Sequence, residues 1–228
     1  MVTVISLGGS IVAPDTVDED FVRGFAGLIQ ALLEEDPKRR FIFVVGGGAP
    51  ARLWQKAYQA LAAPYSPEEA DWIGVMATRL NAQLVRGVFA PFCPQEVVTD
   101  PANAPSFEGR VLVAAGWKPG FSSDYDAVLL AEKFHAEQVV NLSNIPQVYT
   151  ADPKTNPEAA PLETVSWDDF RALTGEEWVP GKNTPFDPVA AKHAAALGLR
   201  VVCAAGRDLK NLKNLLTGKP FTGTTIGP

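Results

Sequence analysis

The sequence has only two histidines and two cysteines among its 228 residues. So few histidines argue against a histidine-based catalytic triad and against a histidine-rich metal site, and we expect no resident metal. His135 and His193 fall at the end of one predicted helix and inside another, which favours structural roles. Cys93 and Cys203 are far apart and lack the spacing of metal ligands, so a reduced, cytoplasmic protein is expected.

Long hydrophobic runs and an excess of basic charge are also missing. No apolar run reaches transmembrane length, and the start, MVTVISLGGS, lacks the basic region and long apolar core of a signal peptide. Lysine and arginine number 20 against 26 aspartates and glutamates, which gives a net charge of −6. These counts argue against a protein that binds nucleic acids or anionic membranes in general, but they are compatible with a local basic pocket.

Apolar residues make up 46% of the chain, enough for a sizeable core. Apolar strands alternate with amphipathic helices, a pattern that predicts parallel strands joined by crossover helices. Strands are predicted at residues 2–7, 41–45, 95–98, 110–115, 138–142 and 199–204. Helices are predicted at residues 18–35, 50–62, 66–88, 124–134, 166–173, 188–197 and 208–217. We therefore expect one α/β domain, a three-layer αβα sandwich with a mainly parallel central sheet.

Three of the predicted strands end in glycine turns. Gly8-Gly9-Ser10 follows the first, Gly46-Gly47-Gly48 the second, and Gly116 begins the stretch GWKPGFSSD after another. In a parallel sheet these turns lie at the same edge, which is where ligands bind. Glycine lets a ligand approach main-chain N–H groups, and the first turn of a helix attracts anions. The turns therefore predict a phosphate site, although neither of the first two is a Walker A loop or a G-x-G-x-x-G motif.

Arg52 strengthens this interpretation. It is predicted in the first turn of the helix that begins at Pro50, where the helix dipole disfavours a cation. An arginine there is understandable if a phosphate lies between its guanidinium and the helix end. The alternative is a plain glycine-rich turn followed by an exposed arginine.

Several other polar residues have positions that a helix-capping role explains as well as a functional role does. Ser66 and Glu69 form a capping box, Ser123 and Asp126 form a second one, and Asp187 is a good N-cap before a proline.

The helix predicted at 66–88 has two apolar sides. The core side is predicted to carry Ile73, Met76, Leu80 and Leu84. The other side carries small residues that permit close packing, namely Gly74, Thr78 and Ala82.

These motifs occur in an order that resembles the amino acid kinase family, and within it the archaeal-type uridylate (UMP) kinases. The stretches that carry the resemblance are LGGSIV (7–12), VVGGGAPAR (44–52), DWIGVMATRLNA (71–82), GWKPGFSSD (116–124), VYTADP (148–153), DPVAAK (187–192) and GTTI (223–226). The match covers nearly the whole chain. It implies transfer of the ATP γ-phosphoryl group to UMP, with Mg²⁺ bridging the donor oxygens, as a step of pyrimidine biosynthesis.

The resemblance also implies roles for individual residues. The catalytic residues would be Arg52, Asp124 and Asp187. The ATP side would use Gly8, Gly9, Ser10, Gly48, Arg52, Ser143, Tyr149 and Asp152. The UMP side would use Gly46, Gly47, Asp71, Trp117, Lys118, Pro119, Gly120, Phe121, Ser122 and Ser123. The acceptor-binding part would then cover roughly residues 1–135 and the ATP-binding part roughly 136–228.

The sequence departs from the family pattern at several places. Ser6 stands where many members carry a lysine, a feature shared with the archaeal-type UMP kinases. Ile145-Pro146-Gln147 replaces the usual Val-Asp-Gly, and Tyr125-Asp126 replaces two small apolar residues. Lys118 and Lys182 are candidates for the missing positive charge.

Three interpretations remain open at this point. The first is a UMP kinase, and the second is another small-molecule kinase of the same fold. The acceptor loop GWKPGFSSD would decide between these two. The third is a non-catalytic nucleotide sensor or oxyanion-storage protein, favoured by the altered segment 145–147. A dinucleotide-dependent dehydrogenase is disfavoured because the first turn lacks the required glycine spacing. The resemblance further implies a homo-oligomer, a hexamer or a dimer.

Overall fold

A computed structural model of the chain describes residues 2–175 and 184–228. Its strands are β1 (Val2–Leu7), β2 (Arg40–Val45), β3 (Val111–Ala114), β4 (Gln138–Ser143), β5 (Val148–Tyr149), β6 (Pro161–Leu162), β7 (Thr164–Ser166), β8 (Arg200–Ala205) and β9 (Thr224–Gly227). Seven of them form one sheet in the order β3-β2-β1-β4-β8-β9-β7, and β5 pairs with β6 in a separate antiparallel ribbon.

The sheet is mainly parallel, as predicted. β1 lies in the middle, and its Ile5 pairs in register with Phe43 of β2 and Val140 of β4. All three side chains are fully buried, as expected for strands that are covered on both faces. The exception is β9, which runs antiparallel to β8. β7 pairs with β9 in parallel and forms the edge of the sheet.

The helices lie on both faces of this sheet. They are α1 (Gly9–Val12), α2 (Glu19–Glu35), α3 (Gly48–Leu61), α4 (Pro67–Val88), α5 (Ser123–Lys133), α6 (Trp167–Thr174), α7 (Pro188–Ala196) and α8 (Leu209–Leu216). One core layer packs α2, α4 and α8 against the sheet, and the other packs α5, α6 and α7. The predicted three-layer αβα sandwich is therefore confirmed.

Both halves of the chain build the same sheet. β1, β2 and β3 come from the first half, and β4, the next strand of the sheet beside β1, opens the second half. The two parts of the chain that meet near residue 135 are therefore joined in one sheet by the pairing of β1 with β4. That the first part binds the acceptor and the second binds ATP remains a prediction.

Two predicted helix starts are wrong by one or two residues. α3 begins at Gly48 with Gly47 as N-cap, so Pro50 is its third residue rather than its first. A proline is tolerated there for the same reason, because the first N–H groups of a helix have no partner. α5 is capped by Ser122, whose hydroxyl accepts from the Tyr125 N–H at 3.2 Å, and not by Ser123.

The predicted core face of α4 is also wrong. Met76 and Leu80 are 57% and 69% exposed, and Leu84 is exposed as well, while Ile73 is only half-buried. The buried face instead carries Ala70, Val75, Ala77, Asn81, Ala82 and Val85. Small residues face inward because α4 packs closely against turns of main chain, and the large apolar side chains are left on the outside.

The short strands were the hardest elements to foresee. The strand predicted at 95–98 is only a single bridge between Val98 and Ala114. β5, β6, β7 and β9 contain two to four residues each, too few for a periodic pattern. Within residues 2–175 and 184–228, no helix combines the length and apolarity needed to cross a membrane.

Candidate active site

A cavity of about 360 Å³ opens at the carboxyl edge of the sheet. Its volume falls in the range of small-molecule sites, and its position agrees with the rule for parallel sheets. The residues that line it come from four helices and the loop before α5. They are Gly47, Gly48, Ala51, Arg52, Gln55, Asp71, Gly74, Val75, Thr78, Gly116, Pro119, Gly120, Phe121, Ser122, Ser123, Tyr125, Asp187 and Val189.

The first two glycine turns pack against each other, main chain to main chain. A Cβ atom placed on Gly9 would lie 2.0 Å from the Gly48 nitrogen and 2.6 Å from the Gly46 carbonyl carbon. Gly48 also has a φ of +64°, which side-chain-bearing residues rarely adopt. Glycine is therefore required here by space and by backbone conformation, which explains why β2 ends in three glycines.

Helix α4 holds two of the glycine turns in place. The buried Asn81 amide donates to the carbonyls of Gly46 and Gly47 at 2.9 and 3.0 Å. One turn earlier, the Thr78 hydroxyl accepts from the Gly116 N–H at 2.8 Å. The small-residue side of α4, predicted to allow close packing, therefore packs against these turns and fixes their separation.

Three helix N-termini converge on the cavity. They belong to α3, α5 and α7, which have 14, 11 and 9 residues. The N–H groups of Gly47 and Gly48 at the start of α3 donate to no acceptor in the described part of the chain. Because free N–H groups and the positive end of the helix dipole both favour anions, this arrangement suits a phosphate-bearing ligand.

Arg52 lines the same cavity from the second turn of α3, one turn later than predicted, because the helix begins earlier. Its side chain is exposed, and its Nη2 donates to the Pro14 carbonyl at 3.3 Å. Within residues 2–175 and 184–228 this is the one hydrogen bond of the Arg52 side chain, which leaves most of the guanidinium donors available to a ligand.

The predicted acceptor loop divides into two parts. Pro119 to Ser123 line the cavity, and Asp71 Oδ2 accepts from the Gly120 N–H at 3.3 Å, which ties the loop to α4. Trp117 and Lys118 do not line the cavity. The Lys118 ammonium instead lies 3.9 Å from the centre of the Trp117 ring, and their predicted contact with a substrate remains a prediction.

Asp124 lies behind the cavity and joins three segments. Its Oδ1 accepts from the Ser6 hydroxyl at 2.9 Å, and its Oδ2 accepts from the Asp187 N–H at 3.2 Å. Burial raises the pKa of Asp124 to about 6, although the hydrogen bond from Ser6 opposes the shift. Asp187 lines the cavity and caps α7, accepting from the Ala190 N–H at 2.8 Å.

Two of the residues predicted on the ATP side, Gly48 and Arg52, line this cavity. The others do not line it, namely Gly8, Gly9, Ser10, Ser143, Tyr149 and Asp152. The Gly8 N–H donates to the Leu142 carbonyl at 3.0 Å, which brings the turn Gly8-Gly9-Ser10 next to Ser143 at the end of β4. Tyr149 lies in the β5–β6 ribbon and Asp152 follows it.

Two other features noted in the sequence are the altered segment 145–147 and Lys182, and the structure describes only the first. Gln147, from the altered segment 145–147, donates from its side chain to the Gly223 carbonyl at 3.2 Å and so ties the ribbon to the C-terminal strand region. Lys182 lies outside the described residues.

Several cavity-lining residues were missed from the sequence. Gln55 lies three positions after Arg52, and Thr78 seven positions after Asp71, so helical periodicity could have found both. Tyr125 and Val189 lie in the first turns of α5 and α7. In these turns the sequence pattern indicates the capping residues and not the neighbours that line the cavity.

Comparison with known proteins agrees with this geometry. The model of the amino acid kinase family matches residues 1–205. A uridylate kinase of Methanospirillum hungatei is 35% identical over 98% of this chain and 93% of its own, and one of Thermoplasma volcanium is 34% identical over 98% and 96%. The crystal structure of uridylate kinase from Archaeoglobus fulgidus superposes with a TM-score of 0.85 at 31% identity, covering both chains fully.

The same fold extends to a more distant relative. Aspartate kinase from Synechocystis matches with a TM-score of 0.74 at 18% identity, covering all of this chain and 40% of that one. From the full-length sequence matches, the common fold and the family model, we conclude that this chain belongs to the amino acid kinase family.

Proposed function

We propose that the protein is an ATP-dependent UMP kinase. The observation that carries the proposal is the convergence of three helix N-termini and Arg52 on one cavity, in a chain that aligns along its whole length with archaeal uridylate kinases. A phosphate oxygen of UMP attacks the γ-phosphorus of ATP, and the bond from that phosphorus to the bridging β–γ oxygen breaks to release ADP. Such a transfer needs positioned substrates and compensation of negative charge more than covalent chemistry.

The residues divide between the two substrates in this proposal. UMP occupies the cavity, with its phosphate at the N-terminus of α5 near Ser122 and Ser123 and its sugar near Asp71, whose Oδ1 remains available as an acceptor. ATP lies over the neighbouring turns at Gly9, Ser10 and Gly48, with its nucleoside toward Ser143, Tyr149 and Asp152. Asp124 has a positioning role in this proposal, because both of its oxygens already accept hydrogen bonds from the protein.

Magnesium enters this proposal as part of the substrate MgATP. In the part of the chain that the structure describes, no group of three or more histidine, cysteine or carboxylate side chains is placed to hold a metal ion. Mg²⁺ commonly relies on substrate phosphates and water rather than on an all-protein site. The phosphates of ATP would hold the ion, and no residue of this chain is assigned to it.

The outer surface of α3 and α4 supports a homo-oligomer. α3 buries only Ala49 among its residues, and the outer face of the two helices exposes Leu53, Trp54, Leu61, Met76 and Leu80. Several large apolar side chains exposed on two neighbouring helices indicate an interaction site. We propose that a second copy of the chain covers this face; the hexamer and the cytoplasmic location stay predictions.

The test is an assay of ADP release with ATP and a series of acceptors. A UMP kinase will turn over UMP far faster than CMP or AMP. Arg52→Ala should lower kcat/KM about a hundredfold, or about 2.7 kcal/mol of transition-state stabilisation, whereas Lys56→Ala, on an exposed position of the same helix, should have little effect. Absence of turnover with every nucleoside monophosphate, together with measurable ATP binding, would favour a non-catalytic nucleotide-binding protein instead.

A further inference from the structure

The main chain of Trp117 is held from two sides by side chains of opposite charge. Its N–H donates to Asp126 Oδ2 of α5 at 3.2 Å, and its carbonyl accepts from Arg79 Nη2 of α4 at 3.0 Å. Trp117 is the third residue after β3, which ends at Ala114, and it lies two positions before Pro119. These two contacts therefore fix the root of the loop whose tip, Pro119 to Ser123, lines the cavity.

Asp126 is an unusual residue for this place. Its side chain is fully buried, and its Oδ1 has no hydrogen-bond partner in the part of the chain described. Burial raises the pKa of Asp126 to about 7; the hydrogen bond from Trp117 opposes this shift, and the nearby Asp124 and Asp100 add to it. A buried, incompletely bonded carboxyl costs stability, and helix capping does not explain it, because Ser122 already caps α5.

The side chain of Trp117 is packed against neighbouring residues of the loop as well. Its ring centre lies 5.1 Å from that of Phe121, and the Lys118 ammonium lies over the ring. The residue is thus fixed through its N–H, its carbonyl and its ring. Such a fixed root, followed by Gly120 with its φ of +84°, sets the direction in which the loop enters the cavity.

We propose that Arg79 and Asp126 are positioning residues that clamp the main chain of Trp117 and so hold the segment 119–123 at the acceptor. This inference rests on the proposed function for the identity of the acceptor, but the clamp itself is a property of the fold. Arg79 serves the same purpose from α4, and its own Nε is buried without a partner among the described residues. Neither residue touches the substrates; both act through Trp117.

A general stabilising role for Asp126 makes a different prediction. If the clamp positions the acceptor loop, its loss affects UMP more than ATP, because Gly9, Ser10 and Ser143 lie on other segments. If Asp126 merely stabilises the fold, its replacement lowers the melting temperature and leaves the ratio of the two KM values unchanged.

The kinetic test uses Asp126→Ala, Asp126→Asn and Arg79→Met. We expect Asp126→Ala and Arg79→Met to raise the KM for UMP about tenfold, equivalent to about 1.4 kcal/mol, with the KM for ATP within about twofold of the wild type. Asp126→Asn keeps an oxygen that can accept from the Trp117 N–H and should recover most of the loss. The control is Glu132→Ala, an exposed acid of the same helix. Equal changes in both KM values, or none, would overturn the proposal.

A second measurement does not depend on turnover. Amide hydrogen exchange of residues 116–122 should be slow in the wild type and in Asp126→Asn, and clearly faster in Asp126→Ala and Arg79→Met, with exchange in β1 and β2 unchanged. Unchanged exchange of this segment in folded Asp126→Ala would refute the clamp. If exchange in the wild type and the variants is as expected but the wild type shows no kinase activity with UMP, the clamp stands and the proposed function fails, so the two results are separable.

Discussion

Ser6, in the central strand β1, donates a hydrogen bond of 2.9 Å to Asp124, which lies 118 positions later in the chain at the start of α5. The other oxygen of the same carboxylate accepts from the Asp187 N–H at the start of α7. Ser6 stands where many members of the family carry a lysine. In this chain the position therefore serves to orient a carboxylate between the two sets of predicted substrate residues, rather than to supply charge.

Replacing Ser6 with alanine should destabilise the protein by about 1–3 kcal/mol, because Asp124 Oδ1 loses its donor while it remains enclosed. The pKa of Asp124 should rise further, since the Ser6 hydrogen bond now lowers it. Denaturant unfolding at pH 7 measures the loss. A double-mutant cycle with Asp124→Ala, which removes the acceptor, tests the cause: if the two changes add without coupling, the hydrogen bond is not what Ser6 contributes.

The glycine turns provide a matched pair of substitutions. Gly9→Ala places a Cβ 2.0 Å from the Gly48 nitrogen and should cost about 3 kcal/mol or more, since main chain on both sides must shift. Gly27→Ala, on the exposed side of α2 with nothing within 4 Å, should stabilise the protein by about 1 kcal/mol through helix propensity. Thermal unfolding of the two variants compares them directly. Equal effects would mean that the turns are not packed as described.

The sequence predicted the long elements well and the short ones poorly. β1, β2, β4 and β8 have six residues each, of which at least four in a row are buried, so the apolar stretches within them identify these strands. The predicted core face of α4 is wrong because the apolar pattern predicts large residues facing inward, whereas Met76 and Leu80 are exposed. That expectation holds for an isolated helix on a core, and it fails where main-chain turns need small residues beside them.

The candidate site was predictable where local chemistry defines it. Glycines after strands and Arg52 near a helix start are features that neighbouring residues reveal. The contact of Asn81 with Gly46 joins residues 35 positions apart, and the contact of Arg79 with Trp117 joins residues 38 positions apart. Such pairings depend on how the helices cross the sheet, so sequence patterns alone could not indicate them.

Stability should fall as the pH rises from about 4 to about 7. Burial raises the pKa of Asp124 to about 6 and that of Asp126 to about 7, from the ordinary value of 3.8. Between these values the folded state retains protons that the unfolded chain has released, so the unfolding free energy decreases with pH. Denaturant midpoints measured at half-unit pH steps should show this slope.

Asp126→Asn tests the origin of that slope. The amide does not titrate, so the difference in midpoint between wild type and variant should change across pH 4 to 7 and become constant above about pH 8. Titrating groups that do not interact with Asp126, such as Asp18, whose pKa is lowered by the Phe21 N–H and by Arg207, contribute equally to both proteins and cancel in the difference. A difference that is independent of pH would show that Asp126 titrates normally.

The exposed apolar face of α3 and α4 leads to the last prediction. Trp54 and Leu80 are each 69% exposed, and they belong to the face that we propose a second copy covers. We expect the wild type to elute as a dimer or larger assembly by size-exclusion chromatography with light scattering, and Trp54→Glu/Leu80→Glu to elute as a monomer, because two buried carboxylates would face apolar surface. Leu173→Glu, at a 45% exposed apolar residue on α6, is the control and should leave the assembly intact. A wild-type protein that is monomeric at micromolar concentration would contradict the proposal, and an assembly that survives the double substitution would place the interface elsewhere.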